Sequence, residues 1–113
     1  MRFAIEGIFF AFGREKSLRF QLVSGLIVLC LMIILQPPLI WWAIIAIVTG
    51  MVIAAELFNT AIEGLCDFVQ PEIDERIKHI KDVAAGAVLV TSVVAVLSAV
   101  LLLIFFVQSF ADL

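Results

Sequence analysis

The chain has 113 residues, 65% of them hydrophobic and only 15% charged, more apolar surface than a soluble domain of this size can hide from water. It therefore reads as an integral membrane protein, all-α and one unit, without a linker or low-complexity tract. The net charge of −3 matters less than its placement, and no basic patch is interleaved with aromatics, which excludes a nucleic-acid partner.

Met1 to Phe12 reads as an amphipathic helix, covering residues 1–13 or so. Ile5, Ile8, Phe9 and Phe12 follow the i, i+3, i+4, i+7 template, with Arg2 and Glu6 as polar exceptions. So short a helix lies on a membrane surface instead of crossing it. Gly13 to Arg19 forms a charged collar before a first span over residues 18–35. A cleaved signal peptide is disfavoured there, because Gln36-Pro37-Pro38 is no small-residue cleavage site and another span follows at once. The two prolines end one helix and set the start of the next. Trp41 and Trp42 then mark a membrane interface.

The second helix, residues 39–69, is longer than a bilayer is thick. It opens with 17 uncharged residues, Leu39 to Ala55, in which Thr49 and Gly50 read as helix-packing residues. Gln70 to His79 reads as a polar loop opened by Pro71. Its charges Glu72, Asp74, Glu75, Arg76 and Lys78 form a solvated turn by default, a reading kept for Glu75 and Arg76. A third span covers residues 83–107, with no charge for 25 residues. Ala84, Ala85, Gly86 and Ala87 give its start a small-residue surface that lets another helix come close. Cys30 and Cys66 read as small buried cysteines. With His79 the only histidine, any metal is a hard cation held by carboxylate oxygens.

All seven basic residues fall before or at the very start of the first span, or between the second and third. The positive-inside rule puts the N-terminus and central loop in the cytoplasm and the Pro37-Pro38 turn and C-terminus outside.

The chemistry is concentrated in the second half of the second helix. Glu56, Asn59, Glu63 and Asp67 are spaced by 3, 4 and 4 residues, so a helix presents them as one stripe. Carboxylates inside a membrane span are functional by default, and these repel one another unless cations or shared protons intervene. Glu15 enters at the same membrane level and could join Glu63. Oxygen ligands point to Mg²⁺, which takes one or two carboxylates plus substrate phosphates. Lys81, at the start of the third helix, is a candidate for a phosphate oxygen. Carboxylates, a divalent metal and a lysine make a parts list for phosphoryl transfer, with Glu56, the deepest, as base for an acceptor hydroxyl. No Walker-type or kinase-type glycine loop is present. The competing reading is a small oligomeric transporter or channel with an acidic ring from Glu56. Against it, the acids cluster at one interface and the third span has no polar stripe to line a pore.

The run Glu56-Leu57-Phe58-Asn59-Thr60-Ala61-Ile62-Glu63, then Asp67, then Lys81-Asp82-Val83-Ala84-Ala85-Gly86-Ala87-Val88 resembles the prokaryotic diacylglycerol kinase family, which includes the undecaprenol kinases. The resemblance covers nearly the whole chain, from Arg2, Phe3 and Gly7 of the surface helix and the Arg14-Glu15 collar onward. It implies a homotrimer of three-span subunits in the bacterial inner membrane, with active sites shared between neighbours. It also implies ATP, Mg²⁺ and a membrane lipid alcohol, diacylglycerol or undecaprenol. By position Glu56 resembles the catalytic base that meets the lipid hydroxyl, and Glu15 and Glu63 the metal ligands on the nucleotide. Asn59 and Asp67 resemble supporting residues, Lys81 a phosphate-contacting lysine and Asp82 a nucleotide-contacting acid. Glu72 matches a nucleotide-side glutamate. Asp74 stands where many members have His, and Phe3 where some have Tyr. The Ala-Ala-Gly-Ala-Val stretch resembles the undecaprenol-kinase branch.

Overall fold

A computed structural model describes residues Met1–Leu113 as four helices and no strand. They are α1 (Arg2–Arg14), α2 (Lys16–Leu35), α3 (Leu39–Val69) and α4 (Glu75–Ala111). The three longer helices are long and apolar enough to cross a membrane, as the hydropathy pattern predicts. The first is short and amphipathic and packs against α2 and α3.

Local chemistry sets the helix ends. Glu15 is extended (φ −105°, ψ 116°) and separates α1 from α2, its N–H closing the last turn of α1 on the Ala11 carbonyl. Ala11 and Leu18, on either side of this corner, are buried. At the other end of α2, Gln36 takes a left-handed conformation (φ 47°), unusual for a residue with a Cβ. Its side-chain amide donates to the Ile33 carbonyl at 2.7 Å, and its backbone N–H donates to Met32 O. Two otherwise free helix-end acceptors are thereby satisfied before Pro37 and Pro38 forbid continuation.

The fourth helix corrects one expectation. It begins at Glu75, well before Val83, so half of the polar stretch Gln70–His79 read as a loop is helical, and the connection shrinks to Gln70–Asp74. Asp74 is the reason. Its carboxylate accepts from the Arg76 N–H at 2.8 Å, capping the helix, and Glu75 adds an acid to the first turn. An i,i+4 ion pair between Lys78 and Asp82 staples the next turn.

The long helices lie abreast. Central α3 packs against α2 on one side and α4 on the other, while α2 and α4 do not meet. The chain is accordingly flat, 61 × 32 × 19 Å. α3 and α4 run antiparallel over most of their length: Asp67 meets Lys81 at one end, and Trp41 meets Phe105, with ring centroids 5.8 Å apart, at the other. These two contacts are about 39 Å apart along α3 at 1.5 Å per residue. Ala84 is buried, and with Ala87 it lines the groove beside Ala55 and Asn59 of α3; Ala85 is exposed and nothing lies within 4 Å of a Cβ on Gly86, so only part of the small-residue run faces α3. A Cβ on Gly25 of α2 would lie 3.5 Å from the Thr49 methyl, so Thr49 is a packing residue as expected. Gly50 is not: nothing lies within 4 Å of its Cβ position, because one residue's rotation turns it away from both neighbours. Cys66 is buried, but Cys30 is exposed, lying on the face of α2 turned away from the other helices.

Candidate active site

The polar stripe of α3 faces two structural neighbours in succession. Its deepest member, Glu56, is buried at 4% exposure. Burying a carboxylate without a donor is costly, yet Glu56 takes part in none of the four ion pairs of the chain. Its carboxylate makes no hydrogen bond; the Thr60 Oγ1 hydroxyl donates instead to the Glu56 backbone carbonyl, at 3.0 Å. The charges that reach Glu56 are those of Glu15, from the α1–α2 corner, and Glu63, two turns along α3. The break between α1 and α2 thus delivers Glu15 to the stripe, and three of the acids singled out from the sequence share one neighbourhood.

Asn59 and Glu63, both half-buried, come next. Asn59 Nδ2 donates to Glu63 Oε1 at 3.2 Å, which turns the amide oxygen the other way. That oxygen, Oδ1, is buried and has no hydrogen-bond partner. An orphaned buried acceptor beside two carboxylates fits a hard, oxygen-seeking cation. No group of three or more Asp, Glu, His or Cys side chains gathers as a complete protein-only metal cage. Mg²⁺ does not need one, since it binds through one or two carboxylates plus substrate phosphates.

Past Glu63 the stripe reaches α4. Lys81 Nζ donates to Asp67 Oδ1 at 2.5 Å, across 14 residues of sequence, and the Glu63 charge also reaches Lys81. The Glu63 charge is thus felt at both Glu56 and Lys81. Beyond this pair opens a hollow of about 280 Å³, lined by Asp67 and Lys81 together with Glu72, Asp74, Lys78 and Asp82. The loop-side residues expected from the sequence are thus together, in a compartment separate from Glu15, Glu56 and Glu63. Asp74 is already engaged there. Arg76 donates to it from Nε at 3.3 Å and from Nη2 at 3.1 Å. The side-chain bonds to Arg76, then its backbone N–H, hold the Asp74 carboxyl below the usual carboxylate range. Arg76, read as a solvated charge, is therefore the clamp on Asp74.

Lys78 is the residue that sequence reasoning left out. It lines the hollow and donates to Asp82 Oδ2 at 2.9 Å. Its spacing of three from Lys81 puts both lysines on one face once the segment is known to be helical, and the loop reading concealed that.

A family model described as prokaryotic diacylglycerol kinase matches residues 2–104. The chain is 34% identical over 97 residues to a diacylglycerol kinase of Synechocystis sp., a match covering 85% of this chain and 55% of that protein. It is 32% identical over 90 residues to an undecaprenol kinase of Bacillus subtilis, covering 80% of this chain and 73% of that one. The chain thus spans little more than half the length of the cyanobacterial relative and nearly three quarters of the other. With residues 2–104 of its 113 matched, the chain belongs to the prokaryotic diacylglycerol kinase family.

Proposed function

We propose that the chain is an ATP- and Mg²⁺-dependent lipid kinase that phosphorylates the hydroxyl of diacylglycerol or undecaprenol. The observation that carries this is the polar stripe of α3, which runs from a buried, unpaired Glu56 through Glu63 to Asp67, whose pairing with Lys81 borders the hollow. A lipid alcohol reaches Glu56 from the apolar side, while a nucleotide reaches Lys81 from the loop side. Glu56 accepts the hydroxyl proton as the lipid oxygen bonds to the γ-phosphorus and the bond to the β–γ bridging oxygen breaks, releasing ADP. Lys81 turns from Asp67 to a phosphate oxygen, a charge-assisted bond of the same kind. Glu72, Asp74 and Asp82 face the nucleotide. Glu15 and Glu63 would hold Mg²⁺. When bound, the metal neutralises phosphate charge that the surrounding acids would otherwise repel.

The test is direct. Purified protein is given γ-labelled ATP with diacylglycerol or undecaprenol in parallel lipid mixtures. The expected result is label in the lipid, requiring Mg²⁺ and one of the two alcohols. ATP-independent ion flux in liposomes, with no labelled lipid, would establish the transport reading instead.

Two further expectations belong to this reading. The first is orientation in the bacterial inner membrane, with the N-terminus and the Gln70–Asp74 connection in the cytoplasm, where ATP is, and the C-terminus outside. The distribution of Lys and Arg supports it. In a background lacking Cys30 and Cys66, a cysteine at Pro37 should react with an impermeant thiol reagent in intact cells. A cysteine at Glu75 should react only after lysis; labelling of both from outside would overturn the placement. The second is a homotrimer, supported by the flat chain and by a groove of about 440 Å³ between α2 and α4. That groove exposes Gln21, Ser24, Thr49 and Ser92, polar groups that are poorly placed against lipid. A mass of three chains per detergent-solubilised particle is expected, and a monomer of full activity would refute it.

A further inference from the structure

The hollow beside α4 carries more negative than positive charge. Asp67, Glu72, Asp74 and Asp82 line it against only Lys78 and Lys81, and Arg76 joins from outside by holding Asp74. Each lining lysine is itself occupied, Lys81 by Asp67 and Lys78 by Asp82. A triphosphate brings further negative charge, so at least one lysine must exchange its carboxylate for a phosphate.

The two pairs differ in how readily they part. The Lys78–Asp82 side chains are 68% and 60% exposed, against 36% and 54% for Lys81–Asp67. An exposed i,i+4 pair contributes little and is screened by salt. Lys78 is therefore the cheaper of the two to release. Its release also frees Asp82 Oδ2, the oxygen that accepts from Lys78, for a nucleotide hydroxyl. The two lysines differ in position as well. Lys81 lies within reach of the Glu63 charge, at the end of the hollow nearest the buried acids. Lys78 lies one turn of α4 nearer the loop that carries Glu72 and Asp74.

We propose that Lys78 is a second phosphate-binding lysine, turning from Asp82 to the non-transferred phosphates of the nucleoside triphosphate while Lys81 serves the transferred one. The assignment rests on the lipid-kinase reading above. Because the α- and β-phosphates persist in the product, Lys78 holds ATP and ADP equally and takes no part in bond making or breaking. It sets nucleotide affinity and leaves turnover alone.

The experiment uses the full-length chain in one lipid mixture, with Lys78→Met, Lys78→Arg and, as a control in the same turn but outside the hollow, Glu75→Gln. For Lys78→Met, KM for ATP and the inhibition constant of ADP should rise together by about tenfold or more, the effect of losing a charged hydrogen bond. The kcat stays within about twofold of wild type, the signature of lost uniform binding. Lys78→Arg keeps the charge and restores most of the affinity, and Glu75→Gln changes neither constant. Should the methionine variant be poorly recovered, Lys78→Gln gives the same reading. An unchanged KM for ATP with an active wild type, a loss confined to kcat, or an equal effect from Glu75→Gln overturns the assignment while leaving the kinase reading intact. A wild type that labels no lipid and binds no MgATP overturns both.

Discussion

Glu56→Gln should lose about 10²–10⁴ in turnover, the usual cost of removing a general base, while its affinity for MgATP survives. Glutamine keeps the size of the side chain and its capacity to accept a hydrogen bond, but not its basicity. The substitution is mild for the fold. Glu56 is buried without an ionic partner and feels the charges of Glu15 and Glu63, so neutralising it relieves both desolvation and repulsion. The Thr60 hydroxyl bonds to the Glu56 backbone, not to its carboxylate, and is undisturbed. The purified variant should therefore elute like wild type and bind nucleotide like wild type, yet turn over hardly at all. If it retains more than about a tenth of the wild-type kcat, outside the range for a general base, Glu56 is not the base.

Glu63→Gln should show the reverse signature. The affinity for MgATP falls by at least the 10–100-fold typical of losing even a supporting group at a metal site. Part of the loss returns as Mg²⁺ is raised, since mass action opposes weaker binding. The new side chain can still accept from Asn59 Nδ2 through its amide oxygen, so the existing 3.2 Å bond need not break and Asn59 Oδ1 keeps its aim. What disappears is the negative charge that reaches both Glu56 and Lys81. Titrating activity against Mg²⁺ for both variants, side by side, separates the two roles. A Glu63→Gln enzyme with wild-type metal and nucleotide dependence removes Glu63 from the site.

What the sequence disclosed and what it withheld follow from the range of the forces involved. The Glu56, Asn59, Glu63, Asp67 stripe was legible because helical periodicity is a local property, and Pro37-Pro38 fixed the start of α3 for the same reason. The pairing of Asp67 with Lys81 was beyond that reach, since it depends on α3 and α4 lying antiparallel in one register. Glu15 could be placed at the level of Glu63, but that its charge reaches Glu56 depends on the chain turning a corner at an extended residue in the middle of a charged run. The early start of α4 was missed for a different reason. Polarity alone suggested a loop, although an Asp cap, a following Glu and a Lys–Asp pair four apart were all present as helix signals. That error propagated directly to Lys78, whose face is defined only if residues 75 to 82 are helical. Gly50 and Cys30 were misread because small size suggests packing without saying which side of a helix is packed.

A chain only 19 Å thick has almost no interior against which natural variation can be judged. Just 11 of its 113 residues are buried within it, and Leu18 and Met32 are its only fully enclosed large side chains. Exchanging one aliphatic residue for another on an outward-facing span alters transfer free energy by about one methylene or less, roughly 0.8 kcal/mol, and opens no cavity. Such spans are free to drift. Leucine, valine and isoleucine are interchangeable at small cost over most of the molecule's height, whereas the polar end of α3 and the start of α4 cannot lose a carboxylate or a lysine without a change of chemistry, so the constraint on this chain is gathered at one end of its helices.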